Sequence, residues 1–285
     1  MERWLHEQVD GVHKKPELIH GFVKRAILPA FDDRQVRDIR PAEIADAVRK
    51  YGTKVKETAK AHQGGVTAAK ALLAVYKVLF RYCVGTGWIE QSPAEQLKGK
   101  AVAGPSPGAR DRVLTDDELR FVMTTDIVHG PVLRFLLATG LRINEAYRGH
   151  REGQYWVVPA ASSKNGAAHR VWLSDVALAQ LEHQPWALPN TVQSWLTHNA
   201  EGWTAHDLRR TFSTRMNGEP LSVPPYVVEK MLNHTLPGVM GIYNRQEYLP
   251  ERQQALEAWS AWLKELVGGL PAEIVPLRQA SQQAA

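Results

Sequence analysis

Residues 203–248 constrain this chain most, because they gather in one short region the side chains that bind and attack phosphate groups. The run HDLRRTF places His206 and Arg209 three positions apart, and residues at that spacing share a helix face. A planar guanidinium matches a phosphate, and an imidazole donates or accepts a proton near neutral pH. The run LNHTLPGVMGIY adds His234 and Tyr243, a phenol that becomes a nucleophile once its proton is removed. The stretch therefore predicts an anion site with a nucleophile beside it.

The first hundred residues carry apolar side chains at helical spacing. PELIHGFVKRAILPAF predicts one helix, and PAEIADAVRKYG predicts another that begins at Pro41 and ends at Gly52. A long helical pattern follows up to residue 82, with Gly64 and Gly65 as a break, and QSPAEQL predicts a short helix capped by Ser92. Residues 1–98 are therefore expected to form a small helical bundle.

The formal net charge of +5 is unevenly distributed. The first 110 residues hold 19 lysines and arginines against 12 acidic residues, so this half favours a polyanionic partner. Charge alone fits a solvated lysine-rich surface equally well. Cys83 is the only cysteine and is expected to be a buried thiol in a reducing compartment. There is no apolar run long enough to span a membrane and no secretory signal at the N-terminus, so a cytoplasmic location is expected.

Residues 99–112, GKAVAGPSPGARDR, are predicted to be a linker, because small residues, prolines and glycines bury little surface. A second domain is expected over residues 113–270, followed by a polar tail over residues 271–285. Thr115 and Glu118 form a capping box, and PVLRFLLATG predicts a buried helix closed by Gly140. LRINEA follows and places Arg142 beside this buried element, where a salt bridge to Glu145 is the alternative to a functional role.

The runs QYWVVPA and AHRVWLS predict two strands joined by ASSKNGA. Asn165-Gly166 is a turn signal, so Lys164 is expected at the hairpin tip, while His169 and Arg170 on the return strand could contact a phosphate backbone. Further on, LPERQQALEAWSAWLKELV predicts an amphipathic helix. Its apolar face could pack within the chain or on a neighbouring subunit. That face carries Leu256, Trp259, Trp262 and Leu263.

The runs ATGLRINEA, HDLRRTF and LNHTLPGVMGIY, in this order, resemble the three signature boxes of the tyrosine recombinases, the phage integrase family. YNRQEYLPERQQALEAWSAWL is similar to the segment after the nucleophile in the prophage and genomic-island branch. The resemblance covers residues 113–266. It implies a mainly α fold with a small antiparallel β-hairpin or sheet, in a two-domain architecture: a helical domain that binds the core site and an α+β catalytic domain.

The resemblance implies a site-specific DNA recombinase, an integrase of a phage or mobile element, that works through a 3′-phosphotyrosine without metal, ATP or another cofactor. Tyr243 is then the nucleophile, Arg142 and Arg209 hold the non-bridging oxygens, and Lys164 protonates the leaving oxygen. The implied partners are double-stranded DNA and three further copies of the chain, which form a tetramer on two DNA sites.

The remaining positions support this chemistry. His206 is expected to assist proton transfer, His234 to hydrogen-bond the phosphate or the tyrosine oxygen, and Glu145 to orient other groups. Tyr248 is the rival nucleophile, and it points to a different face of any helix. Basic residues expected to contact DNA are Lys70, Lys77, Arg81, Arg110, Arg112, Arg170 and Arg210.

Other readings stay open at this stage. A lone protomer with the same chemistry would be a type IB topoisomerase or a hairpin-forming resolvase. A vestigial catalytic set would leave a DNA-binding protein. A metal-dependent nuclease could use His206 and His234, although no paired carboxylates lie near them. Prophage integrases often carry a further N-terminal domain that binds arm sites, and this chain begins almost directly at the helical domain. Either it acts at simple core sites, or the sequence is part of a longer protein.

Overall fold

The computed structural model describes residues 1–13, 15–31, 34–58, 64–106, 108, 111–163, 165–200, 202–235, 238 and 246–268. Lys164, Tyr243 and Arg110 lie outside these residues, as does the predicted tail. The chain divides into two compact units, Met1–Ala109 and Arg110–Ala285, each with a hydrophobic core of its own. The described residues are mostly helical with a small antiparallel sheet, so the predicted fold class is confirmed.

The described residues of the first unit form helices joined by turns and contain no strand. Several of its largest buried side chains, among them Trp4, Tyr76 and Phe80, meet in the middle of the helices. A π-helical turn over Leu5–Val9 continues α1, another over Val23–Ile27 joins α2 to α3, and a 3-10 turn covers Val36–Asp38. The α-helices are α1 (Glu2–Trp4), α2 (Pro16–Phe22), α3 (Leu28–Phe31), α4 (Pro41–Thr58), α5 (Gly64–Gly85) and α6 (Gly99–Ala103).

Two glycines bring α4 and α5 into backbone contact. A Cβ atom on Gly65 would lie 2.6 Å from the carbonyl oxygen of Gly52, closer than real Cβ atoms come to another atom. The predicted helix end at Gly52 was therefore wrong, because the helix continues to Thr58. Gly52 serves the close approach of two helices, a contact that no local signal reveals.

Two further predictions in this unit were wrong. Gly99–Ala103, expected to be the start of a linker, forms α6, because Val102 is buried in the first core and Gly104 ends the helix at φ +88°. QSPAEQL forms turns instead of a helix, and Ser92 accepts a hydrogen bond from the backbone of Ala94 over 3.3 Å. Cys83 is buried in the core of this unit, and its burial raises the pKa of the thiol.

The second unit opens with helices α7 (Asp116–Thr124), α8 (Gly130–Thr139) and α9 (Ile143–Arg148). The predicted capping box is present: Thr115 Oγ1 accepts from the Glu118 backbone over 3.3 Å, and the Glu118 carboxylate accepts from the Thr115 backbone over 2.8 Å. Helix α8 is buried along most of its length and ends at Gly140, which has φ +66°. A Cβ there would lie 2.7 Å from the ring of Phe212, so both backbone conformation and packing require glycine.

The sheet is antiparallel in the order β1–β2–β3. Tyr155 pairs with Trp172 and Val158 with His169, and this register turns His169 towards the core and Arg170 outwards. The two predicted strands are therefore present, and a short first strand that the sequence analysis did not anticipate pairs with them. The strands are β1 (His150–Glu152), β2 (Tyr155–Val158) and β3 (His169–Trp172).

The remaining helices are α10 (Asp175–Leu181), α11 (Pro189–Asn199), α12 (Ala205–Asn217), α13 (Pro225–Met231) and α14 (Leu249–Gly268). The apolar face of α14 packs within its own unit: Leu256, Trp259 and Leu263 are buried, and the Trp259 indole donates to the Leu137 carbonyl over 2.9 Å. The apolar face therefore packs within its own chain, which was one of the two options that the sequence left open; the other was a neighbouring subunit. None of the described helices combines the length and apolarity needed to cross a membrane.

Candidate active site

Arg142 caps the start of α9, two residues after Gly140, the glycine that ends α8. Its backbone N–H donates to Glu145 Oε2 over 2.9 Å, and its Nη1 donates to Glu145 Oε1 over 2.7 Å. The side chain of Glu145 is 3% exposed and that of Arg142 is 25% exposed, so the pair joins a buried acid to a guanidinium that reaches the surface. The salt bridge considered from the sequence is present, and it fixes the arginine in place.

Arg209 is buried one turn into α12, and several groups hold its guanidinium. Nη1 donates to the carbonyl of Gly140 over 2.7 Å and lies 3.7 Å from Glu145 Oε2, while Nη2 donates to the carbonyl of Leu232. Burial, and then the positive charge of Arg142, lower the pKa of Arg209 to about 10, so it stays protonated near neutral pH. One buried carboxylate therefore serves two guanidinium groups.

The N-terminus of α12 presents His206 beside this arginine pair. The Asp207 carboxylate accepts from the backbone and hydroxyl of Thr204, over 2.9 and 2.8 Å, and so fixes the first turn of the helix. His206 sits in that turn with its side chain at the surface, and Arg209 follows one turn later on the buried side. His206 and Arg209 were predicted to share one helix face; the surface end of that face carries His206 and its buried end carries Arg209.

Desolvation lowers the pKa of His206, and the positive charges of Arg209, Arg210 and Arg142 lower it further. The imidazole is therefore neutral at pH 7, which is the form that can accept a proton. The charges of both site arginines act on this ring, which stands one helical turn before Arg209 in α12.

His234 follows the end of α13 and contacts the buried arginine. Its Nε2 lies 3.1 Å from Nη2 of Arg209, and its Nδ1 lies 2.7 Å from Glu229 Oε2. A guanidinium has no acceptor, so Nε2 accepts the hydrogen bond and Nδ1 carries the hydrogen that is donated to Glu229. Glu229 was not predicted from the sequence, and its one local signal is its place in α13, five residues before His234.

A closed set of three hydrogen bonds joins the β2–β3 loop to the residue before His234. Ser163 Oγ donates to Asn165 Oδ1 over 2.7 Å, Asn165 Nδ2 to Asn233 Oδ1 over 2.9 Å, and Asn233 Nδ2 to Ser163 Oγ over 2.9 Å. We name this set the Asn233 ring. Asn165 was predicted only as a turn residue, and no role was predicted for Asn233 or Ser163, because no local pattern links two segments so far apart in the chain.

A contact of His169 with a phosphate backbone was considered possible, and it is ruled out because the side chain is 3% exposed and faces the core from β3. Its ring hydrogen-bonds the backbone of Met231, and its Nε2 has no partner among the described residues. Burial, followed by the positive charges of Arg252 and Arg209, lowers the pKa of His169 to about 3. The ring is therefore a neutral support behind the site.

The basic residues of the first unit that were predicted to contact DNA have partners within that unit. Lys70 Nζ donates to Ser106 Oγ over 2.6 Å, and Lys77 Nζ donates to the Glu95 carbonyl over 3.1 Å. The guanidinium of Arg81 makes two hydrogen bonds to the Glu95 carboxylate, over 3.0 and 2.8 Å. Their contact with DNA stays a prediction.

In the second unit, Arg112 and Arg210 are each paired with a buried carboxylate. Arg170 is exposed and lies over the ring of Tyr155, with its Cζ 4.5 Å from the ring centroid. The rival nucleophile Tyr248 is half-buried, and its ring centroid lies 5.0 Å from that of Tyr226. Within the described part of the chain, no three or more histidine, cysteine or acidic side chains are placed to hold a metal ion.

The structure places both guanidinium groups beside the buried carboxylate of Glu145 and places His234 against Arg209. His206 stands in the first turn of the same helix as Arg209, while Lys164 and Tyr243 lie outside the described residues, so the catalytic roles of all these residues stay predictions. Two guanidinium groups held in this way have the chemistry to bind a tetrahedral anion and to stabilise additional negative charge on it.

Curated relatives align with most of this chain at low sequence identity. Prophage integrase IntA of Escherichia coli K12 is 25% identical over 300 residues, which cover 94% of this chain and 70% of the relative. The integrase of Shigella phage Sf6 is 24% identical over 272 residues, covering 85% of this chain and 68% of the relative. No family model matches the sequence.

Solved integrase structures share the fold. A lambda integrase dimer bound to a COC′ core site aligns with a TM-score of 0.63 at 17% identity, covering 83% of this chain and 95% of that one. A Tn1549 transposon integrase in complex with a circular intermediate DNA aligns with a TM-score of 0.56 at 13% identity, covering 82% of this chain and 90% of that one. The curated relatives are integrases and the solved integrases share the fold, and both findings support a place for this chain in the tyrosine recombinase (phage integrase) family.

Proposed function

We propose that this chain is a site-specific DNA recombinase that cuts and rejoins double-stranded DNA through a covalent 3′-phosphotyrosine. The observation that carries the proposal is the pairing of Arg142 and Arg209 on the buried carboxylate of Glu145, with two histidines beside them. Recombination without a metal ion needs this kind of preorganised positive charge around one phosphate.

The two arginines would hold the non-bridging oxygens of the scissile phosphate. Each guanidinium can give two parallel hydrogen bonds, and the negative charge on those oxygens grows as the pentacoordinate state forms. Glu145 and the carbonyls around Arg209 fix both groups before DNA arrives, so little reorganisation is needed during the reaction. Removing one such donor typically lowers the rate by about 10²–10³-fold.

The other residues would move protons. The oxygen of Tyr243 attacks phosphorus while its proton passes to the neutral ring of His206, and the bond from phosphorus to the 5′ oxygen breaks. Lys164 gives a proton to that oxygen, which leaves as a hydroxyl. For His234 to hydrogen-bond the phosphate or the tyrosine oxygen, its Nε2 would release Arg209 and carry a proton, while Nδ1 stays bonded to Glu229. The phosphotyrosine preserves the energy of the phosphodiester, so the reverse attack by a 5′ hydroxyl rejoins DNA without ATP.

Strand exchange requires more than one copy of the chain. The solved structures that share this fold include a lambda integrase dimer on a core site and a lambda integrase tetramer on a Holliday junction. By analogy, four copies of this chain would bring two duplexes together in the cytoplasm. The basic first unit, with the positions predicted above, would add contacts to the DNA backbone.

The test is covalent capture of DNA. Duplexes from the sequence flanking the native gene, each nicked near a candidate cleavage site, are incubated with the full chain in EDTA, denatured with detergent and run on a gel. A nick lets the cleaved end diffuse away, so the covalent complex accumulates. We expect an adduct with the wild type and with Tyr248→Phe, and no adduct with Tyr243→Phe. Tyr226→Phe is the matched control, since Tyr226 is a partly exposed tyrosine outside the proposed chemistry.

Each alternative predicts a different result. Sequence-specific DNA binding without any wild-type adduct would refute the enzyme and leave a DNA-binding protein with a vestigial catalytic set. Cleavage that disappears in EDTA would indicate a metal-dependent nuclease. If the protein forms the adduct and relaxes supercoiled DNA but never joins two duplexes, a topoisomerase would be indicated. Retention of the adduct in Tyr243→Phe and its loss in Tyr248→Phe would identify the rival nucleophile.

A further inference from the structure

The Asn233 ring is a closed cycle in which each side chain donates once and accepts once around the cycle. Asn165 Nδ2 also approaches the backbone carbonyl of Asn233 over 3.2 Å, and Asn165 Oδ1 also accepts from the backbone of Ala167 over 3.1 Å. Ser163 is 2% exposed, so water competes little for its hydroxyl. The ring therefore fastens the β2–β3 loop to the end of α13.

The two segments that meet in the ring are those next to Lys164 and His234. Ser163 and Asn165 flank Lys164 in the chain, and Asn233 immediately precedes His234. The backbone of Asn233 is left-handed, with φ +52°, a conformation that glycine adopts most easily and asparagine tolerates. Glycine would satisfy the backbone alone, whereas asparagine adds an amide that reaches the opposite loop.

The other side of this junction is already fixed to the phosphate-binding pair. His234 lies between Arg209 and Glu229, at 3.1 and 2.7 Å, and Arg209 also donates to the carbonyl of Leu232. Any group fastened to Asn233 is therefore held at a set place relative to Arg209. The ring extends this rigid pair to the loop of β2–β3.

We propose that Asn233 is a positioning residue that sets the Lys164 loop relative to the Arg209–His234 pair, so that the proton donor and the phosphate clamp act on the same phosphate. This rests on the proposed function, in which Lys164 protonates the leaving 5′ oxygen. A loop lysine without such an anchor samples many positions, and a misplacement of about 1 Å costs on the order of 10²-fold in rate. Asn233 thus acts on the chemistry through Lys164.

The leaving atom of the DNA offers a way to isolate proton donation. An oxygen at the 5′ bridging position needs a proton as its bond to phosphorus breaks. A sulfur at that position leaves as a stable thiolate and needs none, because a thiol is far more acidic than an alcohol. A variant that fails only in proton donation therefore recovers on the sulfur substrate, and a variant that fails in binding the phosphate does not.

The experiment measures single-turnover cleavage of both substrates by the full chain. Asn233→Gly keeps the left-handed backbone easy to adopt and removes the amide from the ring. Lys164→Ala is the reference for lost proton donation, and Arg209→Ala is the reference for a lost phosphate clamp. Asn199→Ala is the matched control, because that amide donates within its own helix, to the Trp195 carbonyl over 2.9 Å.

We expect Asn233→Gly to cleave ordinary DNA about 10- to 100-fold more slowly than the wild type and to come within a few fold of it on the sulfur substrate. Arg209→Ala should stay slow on both, and Asn199→Ala should match the wild type on both. Thermal unfolding of each variant shows whether the fold survives. Ser163→Ala opens the ring from its other side and should repeat the pattern if Asn233→Gly does not fold.

Other outcomes overturn the inference. Wild-type cleavage of ordinary DNA by Asn233→Gly would mean that the ring positions nothing. An equal defect on both substrates would mean that Asn233 supports His234 and the phosphate, with no effect through the lysine. In either case, if Lys164→Ala recovers its cleavage rate on the sulfur substrate, the proposed role of Lys164 as proton donor still stands. If Lys164→Ala is not rescued, the role of the lysine falls, and the inference falls with it.

Discussion

The effect of burial on the pKa of His169 can be tested through the pH dependence of the free energy of unfolding. Its ring is 3% exposed, and burial, then the charges of Arg252 and Arg209, lowers its pKa to about 3. We choose His169→Gln as the perturbation, because glutamine keeps an N–H that can reach the Met231 backbone but does not titrate. The variant therefore removes protonation at this position while a polar side chain still occupies the same space.

The direction of the effect follows from proton binding. Below its ordinary pKa of about 6.5, the histidine of the unfolded chain takes up a proton, whereas that of the folded chain stays neutral until the pH approaches 3. The stability of the wild type therefore falls as the pH drops from 6.5 towards 3. The full shift corresponds to about 5 kcal/mol, of which about 2 kcal/mol is lost between pH 7.5 and pH 5.

The assay is urea unfolding of the full chain, followed by tryptophan fluorescence at pH 7.5 and pH 5. Seven of the nine tryptophans belong to the second unit, so the signal reports mainly on the unit that contains His169. The glutamine variant is expected to be less stable at pH 7.5 by about 1–3 kcal/mol, from imperfect packing. Between the two pH values it should lose about 2 kcal/mol less than the wild type.

Equal losses in the wild type and the variant would refute the reasoning. They would mean that the ring reaches water, or pairs with an acid, and titrates near its ordinary pKa in the folded chain. A direct check is the proton chemical shift of the His169 ring, which should not titrate between pH 7.5 and pH 5.

The remaining predictions concern the site and its frame. Glu145→Gln should slow covalent adduct formation on the order of 10²-fold, because both guanidinium groups lose their counter-ion; single-turnover cleavage at the wild-type rate would contradict this. Gly140→Ala should lower the free energy of unfolding in urea by about 2 kcal/mol or more, from a strained left-handed backbone and overlap with Phe212, and a loss below about 0.5 kcal/mol would count against it. Arg210→Gln removes a positive charge and should raise the pKa of His206, so the acidic limb of the cleavage profile moves to higher pH; an unmoved limb would mean that His206 does not accept the proton.

Local patterns in the sequence were enough for much of the fold. The helical period, the capping box at Thr115 and the alternation in QYWVVPA and AHRVWLS each describe neighbouring residues, and the structure confirms the elements they predict. Where the local rule failed, a distant partner decided. Gly52 was wrongly predicted to end a helix, because the glycine is needed for the close approach of Gly65, which lies in another helix. Val102 was wrongly placed in a linker, because its burial in the first core was not visible in the local sequence.

The site divides in the same way. The sequence by itself predicted which side chains would carry the chemistry, since Arg142, Arg209 and His234 stand in short runs whose order and spacing resemble those of one family. Only the tertiary structure decided that one carboxylate serves both arginines, that His169 is a neutral support, and that Asn233 bonds to a loop about seventy positions earlier in the chain. Hydrogen bonds and desolvation depend on distance in space, and a linear sequence records distance only along the chain.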